Sequence, residues 1–313
     1  GGSATGGGSG EDEGGASGGA VGGSGGEGGG EGSAGAASCP EASEPSSLGA
    51  LAVLTLSEAS GIAASRTNAG VLYTHNDSGH PAEVYAVTES GAHVATLAFA
   101  GALAHDWEDI AVGPGPEPGT KYLYVADTGD DPEAPWRETT VIERAPEPEL
   151  AASDRERTLS LEFESLYLSY PDGPHNAEAL LVDSTSGDVY LVTKETARAR
   201  VYVARAPLSA DDINELEVVT ELALPASSGE MALVTGGDLS EDGQWLVLRT
   251  QAEAFLWSVA GGELATALGE APCSVPVGNE LQGEAIGFAV DGASYFTLGE
   301  GSSPELFGVA LER

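Results

Sequence analysis

Basic residues are scarce in this sequence. Only 12 lysines and arginines stand against 50 aspartates and glutamates, and the formal net charge is −38. Proteins that bind a phosphate backbone gain affinity by releasing counterions at lysine and arginine contacts. Because so few basic side chains are present, nucleic acid is excluded as a partner. The acidity also has a plainer explanation, since an acidic surface favours solubility in a salty habitat.

Long apolar runs are absent and aromatic residues are few. No stretch of 18 or more apolar residues occurs, so the sequence predicts no membrane-spanning helix. Aromatic residues make up only 6% of the chain. The remaining apolar residues concentrate in short runs of Val, Leu, Ile and Tyr, which is typical of a protein with many short strands.

The first 38 residues are nearly all Gly, Ser, Ala and acidic residues. This composition buries too little apolar surface to offset chain entropy and predicts a disordered tether. The tether resembles that of an exported bacterial lipoprotein whose leader and lipidated cysteine lie upstream. We therefore expect an extracellular, cell-surface or periplasmic protein that contacts the membrane only through an N-terminal lipid anchor.

Cysteine is limited to Cys39 and Cys273. An even pair in an exported protein favours a disulfide, and two free thiols are the alternative. No spacing typical of a tetrahedral zinc site is present. The sequence divides into a tether (residues 1–38), a linker containing Cys39 (residues 39–48) and one folded domain (residues 49–313).

An internal repeat predicts the fold. Five segments share a polar residue followed two positions later by a short apolar strand: EASGIAAS from Glu58, DWEDIAVG from Asp106, NAEALLVD from Asn176, TGGDLSED from Thr235 and QGEAIGFA from Gln282. Each is followed by a second and a third strand, and the second is often entered through a turn such as Asp242-Gly243. Radial repetition of such sheets is typical of a β-propeller.

The count of repeats predicts an all-β propeller of five blades. Outer strands are expected at HVATLAF, LSLEFESLYLSY, LEVVTELAL and ELATAL, and the N-terminal strand at residues 49–56 should close the ring. Six blades remain an alternative, because the long interval between Asp109 and Ala179 has room for a degenerate blade. A β-sandwich is the other alternative, although it does not explain the shared register.

The repeat also predicts where a functional site lies. Inner-strand starts and second-strand ends meet at one mouth of a propeller channel. Glu108, Glu178 and Glu284 share one register, with Ser60 and Gly237 in the other two repeats and Asp238 one residue beyond. Carboxylates near one axis repel by roughly 4 kcal/mol for a pair 4 Å apart at an effective dielectric of 20. A bound cation, raised carboxyl pKa values, or pairing with basic groups, backbone amides and water would compensate.

Ca²⁺ is the predicted cation, since it selects carboxylate and amide oxygens in flexible arrangements. The predicted metal ligands are Asp77, Asp106, Glu108, Asn176, Glu178, Asp238 and Glu284. The predicted ligand-binding residues are Lys194, Arg249, Asp127 and Glu300, although Lys194 and Arg249 alternatively pair with nearby acids. His105 and His175 precede two of the inner-strand acids at matching positions, which would place an imidazole beside a carboxylate at the mouth. The alternative is that they have no role, as is usual for a single exposed histidine.

The segments SGIAAS, HNDSG, DWEDIAV, VADTGDD, HNAEALLVD and QGEAI resemble secreted bacterial β-propeller proteins of an uncharacterised phytase-like or esterase-like type. The resemblance covers most of residues 57 to 301 and implies the fold and export, without an activity. We expect an acidic channel mouth that binds a cation and a small molecule, glycan or protein. The alternative is a metal-dependent lactonase, phosphoesterase or glycosidase, with Glu108, Glu178, Glu284, His105 and His175 as candidate catalytic residues.

Overall fold

The chain forms five sheets in a computed structural model that describes residues 39–130, 137–151, 154–195, 198–225, 232–259, 261 and 263–312. The predicted tether, residues 1–38, lies outside these residues. The elements are β1 (Glu41–Ala42), β2 (Ser46–Ala50), β3 (Ala59–Ala64), β4 (Val71–Asn76), β5 (Glu83–Thr88), β6 (His93–Ala98), β7 (Trp107–Pro114), β8 (Lys121–Asp127), β9 (Thr140–Pro146), β10 (Arg157–Ser160), β11 (Glu164–Ser169), β12 (Ala177–Val182), β13 (Val189–Thr193), β14 (Ala199–Ala204), β15 (Asn214–Glu215), β16 (Glu217–Leu222), β17 (Val234–Leu239), β18 (Trp245–Thr250), β19 (Ala254–Ser258), α1 (Leu264–Leu268), β20 (Cys273–Val275), β21 (Gly283–Phe288), β22 (Ser294–Gly299) and β23 (Glu305–Glu312).

The sheets are the blades of a five-bladed β-propeller. The inner strands β3, β7, β12, β17 and β21 belong to blades 1 to 5, and each contacts the inner strands on both sides in a closed ring. The all-β, five-bladed prediction is confirmed. No sixth sheet forms among the described residues between Asp109 and Ala179; β8 to β11 occupy that interval instead.

The repeated hairpins depend on glycine in the turns that join inner and second strands. Gly187, Gly243 and Gly292 have φ values of 76°, 65° and 62°, in the left-handed region where a side chain is strained. The strands they connect are buried on both faces between adjacent blades. This position explains why the apolar segments are nearly continuous rather than strictly alternating.

The N-terminal segment closes the ring, as predicted, but it pairs earlier than residues 49–56. Strand β2 pairs antiparallel with β23 of blade 5, and β1 extends the same edge, so both strands include residues expected to be a linker. Leu51, Val53 and Leu56 follow β2 and pack into the core without forming a strand.

The predicted disulfide is present between Cys39 and Cys273, with the two Cα atoms 5.6 Å apart. It ties Cys39, two residues before β1, to the first residue of β20, the outer strand of blade 4. A stable disulfide suits an oxidising compartment such as the cell exterior or the periplasm. Within the part of the chain that the structure describes, no helix is long and apolar enough to cross a membrane.

Two features of the blade edges differ from the sequence prediction. The segment ELATAL forms helix α1, because its apolar residues Leu264, Ala267 and Leu268 have helical spacing and pack against blades 3 and 4. Strand β20 takes the outer position instead. In addition, β10 and β15 pair in parallel with the outer strands of blades 1 and 2, β6 and β11.

Candidate functional site

The inner strand of each blade contains a β-bulge near its start. In blade 2, Trp107 lies opposite Asp127 and Asp109 lies opposite Ala126, the next residue of β8. Glu108 is therefore the extra residue, with no residue opposite it on β8. Glu178 and Glu284 occupy the same bulge in blades 3 and 5. A bulge redirects the side chain of its extra residue. The local backbone therefore explains why these three acids converge at the channel mouth.

The bulge corrects the predicted register of blade 4. Val234 lies opposite Thr250 and Gly236 opposite Arg249, so Thr235, and not Gly237, is equivalent to Glu108. The Thr235 hydroxyl donates a 2.9 Å hydrogen bond to the carbonyl oxygen of Gly283. In blade 1, Ser60 similarly donates to the carbonyl oxygen of Glu108, at 2.6 Å. Blades 1 and 4 thus place neutral hydroxyl groups where the others place carboxylates.

Three carboxylates form the tightest cluster of the mouth. Asp77 follows β4, Asp106 precedes β7 and Glu108 lies in the β7 bulge. Each offers one oxygen atom, and these atoms all lie within 4.8 Å of one another. We call these residues the acid triad. The acidic mouth is the triad together with Glu178, Glu284 and Glu300.

Burial and repulsion from neighbouring acids raise the pKa values of two triad members, Asp106 and Glu108. Burial raises the pKa of Asp106 to about 7, with further contributions from the Asp77 charge and a hydrogen bond to Asp77. Burial also raises the pKa of Glu108 well above its usual range, and the charge of Glu178 adds to the effect. Glu108 is 5% exposed. The Lys194 charge lowers the pKa of Glu108 but does not cancel the rise.

Glu178 and Lys194 form an ion pair beside the triad. The Lys194 Nζ lies 2.6 Å from Glu178 Oε1, and the Asn176 side-chain amide donates to the same oxygen at 3.3 Å. Burial nevertheless raises the pKa of Glu178 to about 7. Burial lowers the pKa of Lys194, but the charges of Glu178, Glu108 and Glu284 outweigh it and raise the pKa overall. Lys194 is therefore a stable cation.

Glu284 and Glu300 contribute negative charge from blade 5. Burial raises the pKa of Glu284 to about 8, with the Glu178 charge as the next cause. The pKa of Glu300 is also raised, first by burial and then by the charge of Asp77. The side-chain amide of Gln251 lies 3.5 Å from Glu284 Oε1. These two acids extend the negative potential of the mouth toward blade 5.

Gly129 has no side chain, and two carboxylates of the triad occupy the space where its Cβ atom would be. A Cβ atom on this residue would overlap Glu108 Oε1 and the carboxyl group of Asp106. The Gly129 amide donates a 3.2 Å hydrogen bond to the carbonyl oxygen of Asp106, which fixes the close approach. Any larger residue would displace the two carboxylates.

Asp109 is a site residue that the sequence prediction missed. Its carboxylate is fully buried and accepts hydrogen bonds from the amides of Ile110 at 2.8 Å, Leu180 at 2.9 Å and Gly237 at 3.4 Å. These amides belong to blades 2, 3 and 4, so Asp109 crosses the channel directly below the mouth. An acid inside the apolar run DWEDIAV was the available signal.

Two residues predicted for the site have structural roles elsewhere. The Asp238 carboxylate accepts the Phe288 amide at 2.8 Å and joins blades 4 and 5, because Asp238 lies beyond the bulge. Arg249 is fully buried, with its guanidinium on the Ala285 carbonyl oxygen at 2.9 Å and on Glu280 at 2.8 Å. Neither residue contacts the acid triad.

Asp127 holds the segment that carries the triad. Its carboxylate accepts the amides of His105 at 2.9 Å and Asp106 at 3.1 Å, and it pairs with Arg137 at 2.7 Å. Asn76 makes the equivalent contacts with the amides of residues 57 and 58 in blade 1. Asp127 is thus a positioning residue, and its carboxylate is already occupied.

The two histidines have different surroundings. His105 is exposed, and its backbone amide makes the contact with Asp127. His175 Nδ1 lies 2.8 Å from Glu195, and its Nε2 lies 2.8 Å from the Tyr202 hydroxyl and 3.2 Å from Asp172. The matching sequence positions therefore do not give the histidines matching contacts.

Asn176 connects two segments at the mouth. Its side-chain oxygen accepts a hydrogen bond from the Asp130 amide at 3.3 Å, and its side-chain amide donates to Glu178.

Comparisons with known proteins assign no family to the chain. No family model matches the chain, and no curated protein matches it. Solved structures similar to it include a gluconolactonase, XC5397 from Xanthomonas campestris, at 12% identity and a TM-score of 0.47, covering 85% of this chain and 89% of that one. A luciferin-regenerating enzyme matches at 10% identity and a TM-score of 0.43, covering 87% and 97%. The resemblance to phytase-like or esterase-like secreted propellers stays a prediction.

Proposed function

We propose that the acidic mouth binds Ca²⁺ through Asp77, Asp106 and Glu108. The observation that carries this proposal is the buried Glu108 carboxylate, which has an oxygen within 4.8 Å of oxygens of the Asp77 and Asp106 carboxylates. Repulsion of this kind costs free energy unless a proton or a cation compensates it. A cation at the triad would replace the protons that the raised pKa values retain.

The donor set fits a hard cation. All three triad side chains offer oxygen, and Ca²⁺ takes six to eight oxygen ligands at about 2.3 to 2.6 Å in flexible arrangements. Histidine and cysteine, which zinc prefers, are absent from the triad. Glu178, Glu284 and Glu300 add negative charge around the site without contributing to the triad itself.

The bound cation and Lys194 would together hold an acidic group of a ligand. Lys194 is 27% exposed in its side chain, so it remains accessible beside Glu178. We infer an exported binding protein for a small molecule, glycan or protein, attached to the cell surface through its N-terminal tether and a lipid anchor. The disulfide supports export, and the net charge of −38 opposes nucleic acid as a partner.

Metal-dependent hydrolysis is the second candidate function. Glu178 and Glu284 have pKa values of about 7 and about 8, which is the range that general acid-base catalysis near neutral pH requires. A bound metal ion would polarise an ester, lactone, phosphoester or glycoside oxygen. Glu284 has no cation in direct contact among the described residues, and it is the better candidate for proton transfer.

Calcium titration by calorimetry tests the first proposal. We expect Glu108→Gln to weaken Ca²⁺ binding about tenfold or more, since it removes a charged ligand. Glu143→Gln is the matched control, because Glu143 is also buried in blade 2 but bonds to the Ser165 hydroxyl at 2.6 Å. An absence of Ca²⁺ binding by the parent protein, or equal affinity in both variants, contradicts the site.

A substrate screen separates the two functions. If the protein is a hydrolase, Glu284→Gln retains Ca²⁺ binding and loses turnover, whereas Glu143→Gln retains both. If no ester, lactone, phosphoester or glycoside is hydrolysed and Ca²⁺ still binds, the binding function stands alone.

A further inference from the structure

The three most exposed large apolar side chains among the described residues are leucines in segments that lead into inner strands. Leu54 is 98% exposed, Leu281 is 96% exposed and Leu103 is 74% exposed, whereas the other exposed large apolar residues reach at most 57%. Each leucine lies in the segment that leads into an inner strand, β3, β21 or β7. The first residues of those strands are the ones that line the mouth.

The leucines precede the inner strands of three consecutive blades, and two of these blades carry the acid triad. They belong to blades 5, 1 and 2, which are consecutive in the ring. Leu281 precedes Glu284 by three residues, and Leu103 precedes Asp106 by three residues. Large apolar side chains exposed together on one face are typical of an interaction site rather than of ordinary surface.

The rest of the chain offers little to cover these leucines. Residues 1–38 contain a single large apolar residue, Val21, in a background of Gly, Ser, Ala and acids. A net charge of −38 opposes docking to an anionic lipid surface. The neighbouring polar groups, a triad suited to Ca²⁺ and the Lys194 ammonium, instead complement one negatively charged head group.

We propose that the mouth binds an alkyl carboxylate as a single molecule. Its carboxylate lies on the bound cation and Lys194, and its alkyl chain covers Leu281, Leu54 and Leu103. The inference rests on the proposed Ca²⁺ site and adds the chemical class of the ligand. Burial of each methylene group against the leucines supplies affinity in addition to the charge contacts.

Calorimetry of the full chain with butanoate, hexanoate and octanoate, in the presence of Ca²⁺, tests the inference. We expect affinity to rise about threefold for each added methylene group. Leu281→Ser and Leu54→Ser should each weaken octanoate binding several-fold, and they should weaken butanoate binding much less. Val290→Ser is the matched control, since Val290 is 47% exposed at the opposite end of β21, and it should change none of these affinities.

The outcomes separate this inference from the proposed function. Failure of Ca²⁺ alone to bind overturns the metal site and, with it, the ligand. Normal Ca²⁺ binding with equal affinities for butanoate and octanoate, or with no effect of the leucine variants, overturns only the ligand class. Binding to neutral phosphatidylcholine vesicles that Leu281→Ser abolishes would show a membrane-docking surface and also overturn it.

Discussion

The Nζ of Lys194 lies 2.6 Å from Oε1 of Glu178, and the charges of both residues act on Glu108 and on Glu284. Both residues come from blade 3, where Glu178 lies in the inner-strand bulge and Lys194 directly follows the second strand. The pair is thus built by one hairpin. It reduces the repulsion between Glu178 and its neighbours, and the Lys194 charge only partly offsets the rise in the pKa of Glu108.

Removal of the lysine charge should destabilise the protein. Lys194→Met leaves Glu178 buried beside other acids, and we expect a loss of about 2 kcal/mol in the free energy of unfolding, measured with urea in EDTA. The double variant with Glu178→Gln should recover most of the loss. Arg198→Met, which breaks an exposed pair with Glu221, should cost under about 0.5 kcal/mol. An equal loss of unfolding free energy in Lys194→Met and Arg198→Met would contradict a special role for the Lys194–Glu178 pair.

The metal-free protein should lose stability as pH rises from about 5 to about 8. Asp106, Glu178 and Glu284 have folded-state pKa values of about 7, about 7 and about 8, above the ordinary 3.8, 4.5 and 4.5. The folded state therefore holds protons that the unfolded state releases, so the stabilisation present below these ordinary values is lost as pH rises through the folded ones.

Calcium should reverse this pH dependence. At 100 times its Kd, a ligand adds about 2.7 kcal/mol to the free energy of unfolding. That corresponds to a rise in Tm of roughly 5 to 10 °C for a domain of this size. Because protons compete for the same oxygens, the Tm gain with Ca²⁺ should be larger at about pH 8 than at about pH 5. A gain that is equal at both values, or a metal-free Tm that rises with pH, would show that the mouth does not titrate as described.

The close approach of Gly129 can be tested by one methyl group. Gly129→Ala places a Cβ atom against Glu108 and Asp106 and should weaken Ca²⁺ binding about tenfold or more. Gly269→Ala, at the end of α1, is the control, because its Cβ would meet no atom closer than 3.3 Å. Calorimetric affinities that are unchanged in Gly129→Ala would remove the argument that the loop shapes the site.

The disulfide should stabilise the closed ring. Its bond joins residues 234 positions apart, and loop-closure entropy sets an upper limit of about 5 kcal/mol. The double variant Cys39→Ser, Cys273→Ser should therefore unfold at lower urea concentration while keeping its Ca²⁺ affinity, since both cysteines lie at the ring closure rather than at the mouth. An unchanged unfolding midpoint would indicate that the pairing of β2 with β23 alone closes the ring.

The sequence predicts the fold well because each blade repeats the same two hairpins. The five inner strands, the second strands and the closure by an N-terminal strand follow from apolar runs and turn glycines. The strands β10 and β15 were not predicted from the sequence. Each comes from a connecting segment that crosses to the preceding blade and pairs with its outer strand. Helix α1 was missed because a five-residue apolar segment fits a strand equally well.

The site was predicted less completely, since it depends on single-residue register. The bulges shift the pairing by one residue, so the alignment of blade 4 selected Gly237 in place of Thr235 and placed Asp238 at the mouth. Arg249 was misplaced because strand alternation turns it inward, toward Glu280. Asp77, Asp106 and Glu108 were predicted as metal ligands from their positions at the end of a second strand and at the start of an inner strand, and their role stays a prediction.

Anomalous diffraction from crystals soaked in Tb³⁺, which substitutes for Ca²⁺ at oxygen sites, tests the central claim most directly. The account predicts one strong peak at the mouth, within about 2.3 to 2.6 Å of carboxylate oxygens of Asp77, Asp106 and Glu108. The peak should disappear in Glu108→Gln crystals and persist in Glu143→Gln crystals. Crystals with no peak at the mouth, or with a peak that survives Glu108→Gln unchanged, would contradict it.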